Sequence, residues 1–139
     1  MLPNEVFFSY ANQDGEIAQK IVGLLRNHGV PIFFGPSNVV GAQQWQDEIL
    51  QGLRRCDWFV VLLSPNSVQS MWVKRETAFA LDDRRYEGRI VPLLHQDCDL
   101  GTLAWLKLFQ IVDFRADFEE ACRQLLRVWG LGLKPDCRQ

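Results

Sequence analysis

The sequence predicts an α/β fold, a flavodoxin-like five-stranded parallel sheet in the order 2-1-3-4-5 with helices on both faces. Short apolar runs alternate with stretches of helical periodicity along the chain, the pattern of strands joined by crossover helices. The run WFVVLL, residues 58 to 63, is the most hydrophobic and nearly unbroken, as a central strand buried on both faces requires. No internal repeat or low-complexity segment interrupts this alternation. A length of 139 residues suits one domain, taken as residues 1–130, with 131–139 as a C-terminal tail or linker.

Each element has its own signal. Val6 to Phe8 is the first strand, ending at Ser9-Tyr10. Asp14 stands where it can cap a helix whose positions Ile17, Ile21, Leu24, Leu25 and His28 keep helical spacing until Gly29 ends it. A charge on His28 would suit the helix dipole there. Pro31 to Phe34 is the second strand, and the loop GPSNVVGAQQ, residues 35 to 44, follows. Trp45, Ile49 and Leu53 stripe a helix that runs to about Arg55. Ser64-Pro65-Asn66 breaks the third strand, and Ser70 caps a helix reaching to about Tyr86. Arg89 to Leu94 and Phe109 to Val112 are the last two strands. Phe118, Ala121, Cys122, Leu125, Leu126 and Trp129 stripe the final helix.

Composition narrows the function. Hydrophobic residues at 47% and charged residues at 23% are ordinary for a globular protein, and a net charge of -2 argues against a nucleic-acid footprint. Arg84, Arg85 and Arg89 are interleaved with Asp82, Asp83 and Glu87, which reads as a solvated helix face. The sequence shows no signal peptide and no membrane span, so a cytoplasmic location is expected. Cys56, Cys98, Cys122 and Cys137 are scattered without a CxxC pair, the pattern of free thiols and not of a metal centre.

The strand order predicts where chemistry should lie. Ligands of such sheets bind beyond the carboxyl ends of the strands at the switch point, here strands 1 and 3. The loops at Ser9-Tyr10 and Ser64-Pro65 would flank that place, with Glu76 on the next helix. A phosphoreceiver domain would need an aspartate where Ser64 stands and an acidic pair after strand 1, where Ser9 stands. No GxGxxG string supports a Rossmann site, and YANQD is a poor flavin phosphate loop. Pro65 removes a backbone donor that a Ser64 nucleophile would want for its oxyanion hole, which argues against a Ser/His/Asp triad with His28 or His95. Trp72 and Glu76 are one turn apart and share a helix face. Spacing alone favours a solvent-facing Glu76 paired with Arg75, Lys74 or Arg84, and a Trp72 that packs in the core.

Four strings, in this order and spacing, resemble the Toll/interleukin-1 receptor (TIR) domain, particularly its bacterial members. They are VFFSYANQD at residues 6 to 14, the loop from Gly35 through Gly41 to Trp45, WFVVLLSPNSVQSMWVKRE at residues 58 to 76, and RIVPLL at residues 89 to 94. The resemblance spans nearly the whole chain and implies the fold inferred above. It also implies a function, because many members cleave NAD and the bacterial ones often carry WxxxE on the helix after strand 3. Here that motif is Trp72-Val73-Lys74-Arg75-Glu76.

The resemblance makes Glu76 the catalytic carboxylate. Trp72, Phe8, Ser9, Tyr10 and Ser64 become substrate-binding residues, with NAD as substrate and no cofactor or metal. The loop Gly35, Pro36, Ser37, Asn38, Val39, Val40 and Gly41, with Trp45, corresponds to the family's BB loop, through which TIR units associate. The implied partners are other TIR domains, self-associated or in filaments, and a fused or separate sensor module. Nucleic acid and membrane are not among them. The expectation is an NAD glycohydrolase or cyclase activated by self-association, an effector in bacterial antiviral immunity. Its rival is a non-catalytic scaffold, or a mimic of a host pathway, acting by TIR–TIR binding. LKLFQIV lacks the Phe-Trp box of animal signalling members, a departure that points away from an animal-type adaptor.

Overall fold

The computed structural model describes residues 2–34 and 42–134. Its strands, β1 (Val6–Ser9), β2 (Ile32–Phe34), β3 (Trp58–Leu63), β4 (Ile90–Leu94) and β5 (Val112–Asp113), form one parallel sheet in the order β2-β1-β3-β4-β5. Phe7 lies beside Phe33 and Phe59, Val60 beside Val91, and Leu93 beside Val112. The fold class and strand order expected from the sequence are therefore those observed.

Alternation along the strands splits the core in two. Val6, Phe8, Val60, Leu62, Val91 and Leu93 face α1 (Gly15–Asn27) and α4 (Phe118–Arg127). Phe7, Phe59, Val61, Leu63 and Ile90 face α2 (Ala42–Arg55) and α3 (Met71–Asp82). The second core also takes Leu100, Leu103 and Leu106 around a 3-10 segment, Gly101–Leu108, that the sequence reading left unassigned. Among the described residues, no helix is long and apolar enough to cross a membrane.

Several elements differ from expectation for identifiable reasons. The helix of Glu76 stops at Asp82 and does not reach Tyr86, because Asp83 is extended and its carboxylate accepts from the Arg85 N–H, starting a separate 3-10 turn. Tyr86 ends that turn fully buried, its hydroxyl donating to the Leu53 carbonyl. The fifth strand is not Phe109–Val112. Phe59 N–H donates to the Arg89 carbonyl and His95 N–H to the Leu63 carbonyl, so odd-numbered residues of β4 bond toward β3. The even-numbered Pro92 should therefore bond toward β5 but has no N–H to give, and pairing with β5 starts only at Leu93.

His28 is not used as a charge. Its Nδ1 lies 2.8 Å from the Leu24 carbonyl and its Nε2 accepts from the Lys134 N–H at 3.0 Å, which requires a neutral ring. That bond, with Leu131 and Leu133 packed against the core, holds residues 131–134 to the domain. Asp14 occupies the cap position of α1, but its side chain makes no capping bond and is committed elsewhere. Ser70 does cap α3, accepting from the Val73 N–H. Cys56 and Cys122 are buried free thiols, Cys98 is half-buried, and Cys137 lies outside the described residues.

Candidate functional site

A cleft of about 270 Å³ opens at the carboxyl ends of β1 and β3, the switch point of the sheet. Phe7, Phe8, Tyr10 and Ile49 give it an apolar floor and side, and Trp72 forms another wall. Asn12, Gln13, Asn66, Gln69 and Ser70 supply neutral polar groups. Glu76 is the one carboxylate among the described lining residues, and no Lys, Arg or His joins it there.

The position of Glu76 follows from the local pattern of α3. Val73, Glu76, Thr77 and Ala80 are its buried residues, an i, i+3, i+4, i+7 stripe, so the glutamate sits on the core-facing stripe of the helix. Ser9 continues the Phe7 face of β1 by strand alternation and points toward α3. Its hydroxyl donates to Glu76 Oε1 at 2.6 Å, with both residues buried. Only 6% of Glu76 is exposed. The solvent-facing ion pair favoured by spacing is thus overturned, and Arg75 instead lays its guanidinium over the Trp72 ring at 5.4 Å. Burial raises the Glu76 pKa from 4.5 to about 7, and the Ser9 hydrogen bond partly opposes the rise.

The other residues singled out from the sequence divide into groups. Phe8, Tyr10, Trp72 and Glu76 are brought together in the cleft, with Ser9 bonded to Glu76. Tyr10 is stacked on Phe34 at 4.7 Å between ring centroids, which fixes that side of the opening. Ser64 is fully buried and does not line the cleft; it donates to Asp14 Oδ2. With its proton directed to a carboxylate and not to a histidine, it has no triad geometry. Residues Gly35 to Gly41 and the Trp45 side chain lie outside the described residues. Asn12, Gln13, Asn66, Gln69 and Ser70 were not anticipated. Their signal was available, since Asn12 and Gln13 follow Ser9-Tyr10 directly and Asn66 follows Ser64-Pro65.

A buried carboxylate facing a small, otherwise uncharged cleft can accept hydrogen bonds from ligand hydroxyls and stabilise positive charge in a low-dielectric space. Cys56 and Cys122, pushed by burial up to about 12, offer no thiolate at neutral pH.

Comparison with solved structures places this fold among known ones. The TIR domain of the Toll-related receptor TRR-2 from Hydra magnipapillata superposes with a TM-score of 0.72 at 18% identity, over 88% of this chain and 95% of that one. The TIR domains of the activated Roq1 resistosome, which directly recognises the pathogen effector XopQ, match with a TM-score of 0.64 at 15% identity, over 90% of this chain and 98% of that one. At these identities the likeness concerns the fold. No curated protein sequence matches the chain. The family model of the TIR domain matches residues 6–126, and by that match, over most of its length, the chain belongs to the TIR domain family.

Proposed function

We propose that this TIR domain cleaves the nicotinamide–ribose bond of NAD, with Glu76 as its catalytic carboxylate. The observation that carries the reading is the buried Glu76 carboxyl, aimed into a nucleoside-sized cleft, bonded by Ser9 and flanked by the Trp72 ring. The sequence Trp72-Val73-Lys74-Arg75-Glu76 has the form of the bacterial WxxxE motif.

The chemistry suits a single carboxylate. Most glycosidases need two, one of them to protonate a poor leaving group. Nicotinamide departs as a neutral molecule from a cationic pyridinium, taking the electron pair of the C1′–N bond, so no acid is needed. The ionised Glu76 would hydrogen-bond the ribose hydroxyls and stabilise the cationic sugar. Trp72 and Tyr10 would enclose the base and exclude water from its face. Water capture at C1′, with loss of one proton, gives ADP-ribose; capture by a group of the substrate itself gives a cyclic isomer. The cleft holds a nucleoside portion, so the diphosphate and adenosine would extend past its mouth.

Activity through self-association is part of the proposal. The Roq1 neighbour's TIR domains belong to an activated resistosome, and that supports a clustered active state here, an effector role in immunity and a sensor that triggers it. Protein clustered on a scaffold and incubated with NAD releases nicotinamide; Glu76→Gln lowers the rate at least about 100-fold while the far-ultraviolet dichroism is unchanged. Intact NAD after incubation with the clustered wild type would sink the reading.

One observation favours a TIR scaffold as the second reading. Leu81, Trp105 and Leu108 are exposed apolar residues around one groove between α3 and the 3-10 segment. If binding is the whole function, Glu76→Gln leaves both assembly and signalling intact.

A further inference from the structure

The polar wall of the cleft comes from two segments distant in sequence. One follows β1 and carries Asn12 and Gln13; the other follows β3 and carries Asn66, Gln69 and Ser70. Beneath them runs a buried hydrogen-bond network. Asp14, 6% exposed, accepts from the Ser64 hydroxyl through Oδ2 and from Asn66 Nδ2 through Oδ1, the latter at 3.1 Å. Ser64 Oγ accepts from the backbone N–H of Asn66 at 3.2 Å and of Ser67 at 3.1 Å. Both of its lone pairs are then in use, so its single proton must go to Asp14. Ser67 closes the ring, accepting from the Ser64 N–H at 2.8 Å and donating to the Ser64 carbonyl at 3.1 Å.

Burying a carboxylate and two hydroxyls costs stability unless every group finds its partner, and here the partners are fully arranged. Asp14, Ser64 and Ser67 do not line the cleft, yet through Asn66 and the backbone they fix both segments that do. Glu76 is held separately, by Ser9. We propose that Asp14 and Ser64 are positioning residues that set the spacing of the two polar walls and with it the affinity for substrate. The proposal deepens, and rests on, the NAD-cleaving function above. Since the anchor of Glu76 is independent, loosening this clamp acts on substrate binding more than on bond cleavage.

The test uses the full chain, clustered, with NAD as substrate. Ser64→Ala and Asp14→Ala raise KM about three- to tenfold, the factor carried by one lost hydrogen bond, with kcat within about twofold of wild type. Asp14→Asn keeps KM near wild type, because its amide oxygen accepts from Ser64 while its NH₂ faces Asn66, whose own amide turns over. A merely structural role predicts the reverse pattern, a lower kcat at unchanged KM as the folded fraction falls. That result overturns the proposal, and so does equal damage from Asp14→Asn and Asp14→Ala. Amide hydrogen exchange reads the clamp without turnover. In Ser64→Ala the amides of residues 12–14 and 66–70 exchange faster together, by at least about tenfold. Acceleration of one segment alone refutes the coupling. Should the clustered wild type leave NAD intact, the enzyme reading falls by itself, and exchange alone decides the clamp.

Discussion

Glu76 titrates where it matters. With its pKa at about 7, the carboxyl is divided between its two forms near neutral pH. If the ionised form supports the ribosyl cation, kcat rises with pH through about 7 and then levels. The Ser9 bond favours the charged form, so Ser9→Ala should move that limb to higher pH, and a profile that stays in place would argue against their coupling. The same shift bears on stability. Between 4.5 and about 7 the folded chain keeps a proton that the unfolded chain has released, so this group's contribution is complete below 4.5 and is lost as pH rises through about 7. Glu76→Gln removes that loss, and its melting temperature relative to wild type should be higher at pH 8 than at pH 5, by an amount equivalent to at most ~3 kcal/mol. The motif around Glu76 was legible in the sequence, but its burial was not, since a helix does not announce which stripe meets the sheet when that stripe includes a charge. Asp14 was misread for a related reason. An aspartate before a helix usually caps it, and a bond to Ser64 across fifty positions of separation leaves no local trace.

Among the elements, α2 shows how a close approach constrains the chain. A Cβ at Gly52 would lie 2.8 Å from Phe33 Cε1, and the Phe33 ring is stacked on Phe7 at 5.2 Å. Alanine would gain about 1 kcal/mol of helix propensity, yet it must displace that ring. We expect Gly52→Ala to lower stability by a net ~1–2 kcal/mol in urea unfolding, and a rise would mean that Phe33 swings aside freely. The strands were the most legible elements, because β3 and β4 are buried runs whose ends carry turn residues. The segment before β5 was the least. Gly101–Leu108 buries leucines at spacings that suit no regular α-helix, and the length of β5 depends on Pro92 in a neighbouring strand. Neither effect is visible within a local window.

For the whole molecule, the family boundary and the packed boundary differ. The family match ends at residue 126, but Leu131 and Leu133 pack on the α1/α4 core and Lys134 bonds His28. Removing residues 131–139 should therefore destabilise the domain by about 1–3 kcal/mol, read as a lower melting temperature, and an unchanged value would show that this packing contributes nothing. The overall fold was legible because strand alternation and order are set by hydrophobic pattern and crossover handedness, whereas the site needed two distant loops brought side by side. The sheet ends in β2 with three residues and β5 with two. Those margins give an intruding strand almost no ladder to copy, so molecules crowded together at high local concentration are guarded against edge-to-edge fibril growth.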